Sequence, residues 1–369
     1  MGGVKIKVLK EPILISVIII CFISSIFIGG SNIKDINWDT ILSLMMLMIF
    51  VALISDMNIL NYFSHFITTK AKSSRTIILR LVLFDYFASM FFTNDVLILA
   101  LIPLFINIAN RHHLQKAYPL VLLTIAANLG SSITPIGNPQ NIFLVSNYHV
   151  GMLAFFKHSY IFFIVGLCTV VLLSFLVENK SILNSEKGHR DAIHLKSSNV
   201  LIAILLMIVV LMGIFNIINI IIALFVVLCT SILLNYRVIY NVDYSLLLSF
   251  IGFFLIVGIF SRSITITHFI ATVSTSPKNV FILSALASQF ISNVPASVLM
   301  AKFSGYMGAI YYGVSIGGMG TLVASLANLL ALKQVAIYSK LDVRKFVFIF
   351  SLLNFALLFL FIIIFYFII

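Results

Sequence analysis

Thr93-Asn94-Asp95 and then, after an apolar run closing at Pro103 and a basic turn, Ala126-Ala127-Asn128-Leu129-Gly130-Ser131-Ser132-Ile133-Thr134-Pro135-Ile136-Gly137-Asn138-Pro139-Gln140-Asn141 interrupt an otherwise hydrocarbon-like sequence. The chain of 369 residues is 62% hydrophobic and only 9% charged, with a mean hydropathy of +1.17. A water-facing globule could not hide that much apolar side chain, so the composition specifies a polytopic membrane protein. In hydrocarbon every backbone group freed by a proline, a glycine or a competing amide must find a protein or water partner. A cluster of such residues in the middle of apolar runs therefore marks a discontinuous helix built around a polar site.

The apolar runs from Pro12 onward are of a length that crosses a bilayer as helix, and they predict an all-α fold with about 9–11 transmembrane helices. The net charge of +12 does not point to nucleic acid. Lys and Arg concentrate in the predicted inner segments, and those predicted outside are Lys34, Lys157, Arg262, Lys278 and Lys302. That positive-inside asymmetry orients the chain with a cytoplasmic amino terminus in the plasma or inner membrane. Cys21, Cys168 and Cys229 lie within apolar runs and read as small apolar fillers. No His-Glu-x-x-His, nucleophile elbow, phosphate loop or Cys/His metal spacing is present, which argues against an enzyme or an ATP-driven pump.

Arg75 and Arg80 precede the apolar limb leading to Thr93-Asn94-Asp95, and Arg111 and Lys116 close the limb that follows. Both ends being basic, the expected form is a re-entrant hairpin over about 76–110 with its tip buried. A broken helix follows over about 117–148, because Pro135 and Pro139 each remove a backbone donor. The segment Met57 to Lys70, with His65, suits an interfacial amphipathic helix.

The second half repeats this order. Asp243 matches Asp39, Thr267-His268 matches Ser64-His65, Ser292-Asn293 matches Thr93-Asn94, and Asn328 matches Asn138. The expected organisation is a first inverted repeat over 1–177, a cytoplasmic loop at 178–198, a linking helix at 199–216, and a second repeat over 217–369. The second repeat has its hairpin at about 278–303 and its broken helix at about 306–332. Inverted repeats with interrupted helices are the sequence signature of alternating-access transporters, with the site at the repeat interface.

The candidate substrate and ion site is Thr93, Asn94, Asp95, Thr134, Gly137, Asn138 and Pro139 from the first half, with Ser292, Asn293, Val294, Thr321 and Asn328 from the second. Hydroxyl and amide oxygens are hard neutral ligands suited to a small cation, and Na⁺ is expected at Thr93, Asn94, Ser292 and Asn293; helix N-termini donate to an anion. A lone Asn or Ser in a membrane helix often just bonds a neighbouring helix, so the weight rests on the repetition of the sites in order. Asp95 is an intramembrane carboxylate, a costly group that marks proton or cation handling, with pairing to an arginine such as Arg80 as its structural alternative. Asp85, Asp56, His112-His113 and Lys302 have structural accounts at least as good.

Thr93-Asn94-Asp95 with Pro103, the run Thr134 to Asn141 with its Gly-Asn-Pro-Gln-Asn core, and Ser292-Asn293-Val294-Pro295 resemble the ion transporter superfamily. The resemblance is to its citrate transporter-like and arsenite-permease-like anion transporter branch, from about Asp39 to the carboxyl terminus. It implies two inverted repeats, a scaffold that often dimerises, and an elevator-like movement of the hairpin domain. Related divalent-anion/sodium symporters carry Ser-Asn-Thr at each hairpin tip; here the threonine is missing from both tips, and Asp95 makes proton coupling an alternative to sodium. The expected function is secondary active transport of a small anion or oxyanion coupled to Na⁺ or H⁺, with no cofactor and the lipid bilayer as surroundings. A cation/proton antiporter, a passive channel and a membrane scaffold are the alternatives.

Overall fold

The computed structural model describes residues 12–57, 59, 62, 73–181, 196–339 and 343–369. Most of the segment Met57 to Lys70 and of the loop Glu178 to Ser198 lies outside the described residues, as does His65. Among the described residues the fold is helical, without named strands.

Helix α1 (Pro12–Phe27) is followed by α2 (Trp38–Asp56), which starts at Asn37, whose side chain accepts from the Thr40 amide. The first hairpin has limbs α3 (Ser74–Ala88) and α4 (Asn94–Arg111), and the residues between them form its tip. The broken helix that follows is α5 (Ala117–Gly130), a single 3₁₀ turn at Ser131–Ile133, a non-helical stretch, and α6 (Pro139–Tyr148). Pro139 is placed where a helix tolerates proline, in its first turn, and Asn138 caps that turn by accepting from the Asn141 amide. Helices α7 (Met152–Ser174), α8 (Ser197–Ile214) and α9 (Ile220–Asn235) complete the first part.

The second part opens with α10 (Tyr244–Phe260), capped by Asp243, and α11 (Ile264–Val273), bent 93° from it. The second hairpin consists of α12 (Pro277–Ile291) and α13 (Asn293–Phe303). Its broken helix is α14 (Met307–Gly317), a 3₁₀ turn at Leu322–Ala324, and α15 (Leu326–Tyr338), which runs on past Lys333; α16 (Val343–Tyr366) ends the chain. Six described helices are long and apolar enough to cross a membrane, or seven if α10 and α11 form one bent span. Leu14–Phe27, Ala117–Ile133 and Leu326–Tyr338 are apolar but shorter, the latter two because the breaks divide them.

Packing crosses the two halves. The first limb of each hairpin lies on its own broken helix, α3 on α5 and α12 on α14, while the second limbs touch both, α4 lying on α5 and α15 and α13 on α14 and α6. Hairpins and broken helices thus form one continuous body, and α1, α2, α8, α9 and α10 pack beside it with α2 touching α6 and α10 touching α13. Helix α7 leans on α3 and α5, and α16 on α5. The base of the first hairpin is fastened to the far end of α7, where the Ser74 amide donates to the Lys180 carbonyl (2.9 Å) and Arg75 Nε to that of Val177 (3.0 Å). The base of the second hairpin instead meets the end of α6, four residues before α7 begins, through Tyr148 Oη, which donates to the Ser304 carbonyl. With 23 residues in α7, the two bases are about 35 Å apart along it.

Candidate functional site

The two hairpin tips are held against the two breaks by the same bonds. Thr134 Oγ1 donates to the Met90 carbonyl at the first tip, and Thr321 Oγ1 donates to that of Gln289 (3.0 Å) at the second. Asn141 Nδ2 donates to the Thr134 and Ser131 carbonyls, seven and ten residues back; Asn328 Nδ2 donates to those of Thr321 and Gly318, also seven and ten residues back. Asn328 therefore does what Asn141 does, and the pairing of Asn328 with Asn138 expected from the sequence is corrected by three residues. Asn138 has its counterpart in Ser325, each being the residue that precedes the second half-helix. The pairing by residue identity failed because a capping position accepts Asn or Ser alike.

These breaks leave little room. A Cβ at Gly130 would stand 2.1 Å from the Tyr86 carbonyl oxygen, and one at Gly137 would stand 2.1 Å from that of Ser131. The Gly137 carbonyl in turn accepts from the Asn94 amide (3.1 Å), tying the first tip to the first break. At the second tip Ser292 takes φ +74° and ψ 155°, a conformation costly for a residue with a side chain. Its hydroxyl donates to Asn293 Oδ1 and to the Ala324 carbonyl, both at 3.4 Å.

Between the tips lies a chamber of about 630 Å³. Four helix N-termini open on it: α4 with Asn94 and Asp95, α6 with Pro139 and Gln140, α13 with Ser292 to Pro295, and α15 with Ser325 and Leu326. The residues preceding three of them, Thr93, Ser292 and Ser325, make no side-chain cap; in α4 the Asn94 amide is nevertheless taken by the Gly137 carbonyl and the Asp95 amide by Asn94 Oδ1, so uncapped first-turn donors are a feature of α13 and α15. Convergent N-termini present partial positive charge to whatever occupies the chamber. The remaining wall is mostly apolar, with Phe250, Phe253, Phe260 and Phe290, and no Lys or Arg among the described residues lines it. A second cavity of about 700 Å³ adjoins it, with Asp95 and Pro139 in the wall of both, and carries Asp56, Asp243, Lys333 and Gln334.

Of the residues singled out from the sequence, Asn94, Asp95, Pro139, Ser292, Asn293 and Val294 meet in the chamber, and Thr93 faces only the adjoining cavity. Thr134, Gly137, Asn138, Thr321 and Asn328 line neither cavity; they build the breaks behind it. Among the described residues the ion pairs are Lys180–Glu178 and Arg262–Asp35, and Asp95 belongs to neither. No group of His, Cys, Asp and Glu suited to a metal ion occurs among the described residues.

Sequence reasoning passed over Asn128 and Gln289. Asn128 Oδ1 accepts from Asn94 Nδ2 (3.0 Å), and Asn128 Nδ2 donates to Asn328 Oδ1 (2.7 Å), so one amide joins the first tip to the second break. Gln289 Nε2 donates to the Gly317 and Met319 carbonyls, and its Oε1 accepts from the Thr321 amide. The available signal was the presence of an uncharged amide inside an apolar helix next to a break.

The profile of the family described as "Citrate transporter" matches residues 7–304. An uncharacterized transporter of Methanocaldococcus jannaschii is 35% identical over 302 residues, covering 81% of this chain and 81% of that protein. The inner membrane protein YbiR of Escherichia coli is 27% identical over 300 residues, 81% of this chain and 80% of that protein. The putative transporter arsB of Dictyostelium discoideum is 33% identical over 152 residues, 41% of this chain and 27% of that protein.

Proposed function

The chain belongs to the citrate transporter family, and from that premise we propose that it is a secondary active transporter moving a small anion or oxyanion, coupled to Na⁺ or H⁺. It is a multi-pass membrane transporter and not an enzyme. The observation that carries the finer reading is the convergence of four helix N-termini on one chamber that no Lys or Arg among the described residues lines. Backbone donors at half-helix ends attract an anion without the cost of burying an unpaired Lys or Arg. Asn94, Asn293 and Ser292 supply the side-chain contacts to cargo or ion, and Asp95, in the wall of both cavities, is the group that takes up the coupling charge.

Attachment of the hairpin bases near opposite ends of α7 supports two inverted repeats, each hairpin entering the bilayer from its own side, with the amino terminus in the cytoplasm and the chain in the plasma or inner membrane. The continuous hairpin and broken-helix body supports movement of that body as a unit against the helices beside it, an elevator type of alternating access. The purified chain in proteoliposomes tests the reading: citrate or arsenite should accumulate when an inward Na⁺ or H⁺ gradient is imposed. Absence of gradient-driven flux for every anion tried would remove it.

A further inference from the structure

The chamber has a single direct side-chain link between the tip of one hairpin and the break of the other half, and it runs through Asn128. Asn94 donates to Asn128 Oδ1, Ser325 Oγ donates to the same oxygen (3.4 Å), and Asn128 donates to Asn328 Oδ1. Asn328 passes the series on to the Gly318 and Thr321 carbonyls. The three asparagines donate one way, from the first tip to the second break, as in a row of polarised amides where each bond strengthens the next, while Ser325 donates back to Asn128 from the second break. Asn94 and Asn328 are buried, and losing a partner there strands a polar group away from water.

The second half has no equivalent. Counted back from Thr134 and Thr321, which hold the same place in their breaks, the position of Asn128 is occupied by Ser315. The serine side chain is too short to reach as an amide does, and Asn293 at the second tip accepts only from its neighbour Ser292. Gln289 fastens the second tip to its own break and does not reach into the first half. Tyr311 Oη also crosses between the halves, donating to the Ser132 carbonyl (2.9 Å), but among the described residues Asn128 is the amide that both accepts from the first tip and donates to the second break.

We propose that Asn128 is the positioning residue through which the two half-sites sense each other, so that a change at the second break is transmitted to Asn94 at the first tip. An occupant held by one half then sets the geometry offered by the other, as joint binding of cargo and coupling ion requires. The inference rests on the transport reading for its meaning, but its test does not use flux. Flux judges the transport reading, and the following experiment judges Asn128.

Hydrogen exchange of the full chain in nanodiscs reads the peptides at 89–97 and 318–328. Asn328→Ala should quicken exchange at 318–328 and also at 89–97, each by about 5- to 100-fold, the scale of one lost buried hydrogen bond. In an Asn128→Ser background the same Asn328→Ala change should no longer alter 89–97. Asn128→Asp keeps the acceptor for Asn94 and loses the donor to Asn328, so it should leave 89–97 protected while abolishing transmission, a split that a merely structural role would not produce. Peptides from α8 and α9 should stay as in the parent throughout. Unchanged exchange at 89–97 in Asn328→Ala, or an equal effect with and without Asn128, would overturn the proposal.

Discussion

Asp95 and Asp85 sit on the two limbs of one hairpin and meet different surroundings. Asp95 is half-buried in the wall shared by two cavities, near Asp243, where a carboxylate can exchange a proton or a cation. Asp95→Asn keeps size and hydrogen-bonding capacity but removes the titrating group. Gradient-driven accumulation in proteoliposomes should collapse and its pH dependence should vanish, while counterflow exchange of cargo persists. Unchanged gradient dependence would return the coupling role to the neutral oxygen ligands and to sodium. Asn94→Ala and Asn293→Ala should weaken cargo binding instead, by about 1–3 kcal/mol or roughly 5- to 150-fold, read by ligand-induced thermal shift. Asp85 is fully buried, and among the described residues neither carboxylate oxygen has a hydrogen-bond partner; the nearby Ser89 hydroxyl donates to the Asp85 carbonyl instead. At the matching place on the second hairpin stands Ser284, whose hydroxyl bonds the Val280 carbonyl one turn back. Asp85→Ser should therefore raise thermal stability by about 1–3 kcal/mol in detergent, since it replaces an unpaired acid with a group that satisfies itself. A loss of stability would show that the acid has a partner in the native membrane.

At the scale of the elements, the sequence exposed the breaks and missed how they are bonded. Pro135, Gly137 and Pro139 announce a discontinuous helix because proline and glycine act on the backbone of their own segment, and the structure has its interruption there. Basic residues at both ends of an apolar pair led in the same local way to the expectation of a hairpin over about 76–110, and the structure has two helices, α3 and α4, over that stretch. Asn128 and Gln289 announced nothing, since their partners lie 200 and 32 residues away and a lone amide in an apolar helix has many uses. The three-residue error at Asn328 has a related cause, for identity of side chain is a poor guide where Asn138 and Ser325 hold the same position. Close approach gives the elements a separate test. Gly130→Ala places a methyl group against the Tyr86 carbonyl and Gly137→Ala one against that of Ser131; both should cost about 1–3 kcal/mol or more of stability and displace the first tip. Gly305→Ala, with nothing within 4 Å, should leave the melting temperature near that of the parent. Equal melting temperatures for all three would contradict the packing of α3 on α5.

For the whole molecule, the proposed inverted arrangement of the hairpin bases makes a testable prediction of sidedness. Single cysteines at Glu178 and at Asn147, in a background lacking Cys21, Cys168 and Cys229, should react with an impermeant maleimide from opposite faces of the membrane, Asn147 from outside. Labelling of both from one side would remove the inverted organisation. The contacts that the second limbs make across the halves have a further consequence, one of timing during synthesis. One side of α4 is covered by α15, and the Asn128 amide waits for Asn328, 200 residues downstream. At roughly 5–20 residues per second of translation that wait is about 10–40 s, during which the first hairpin can lie on α5 while that side of α4 lacks its protein partner. The nascent chain must be sheltered by the insertion machinery or rest at the lipid headgroups until its second half emerges. Neither half expressed alone should escape membrane proteolysis, whereas the two expressed together as separate polypeptides should rescue each other.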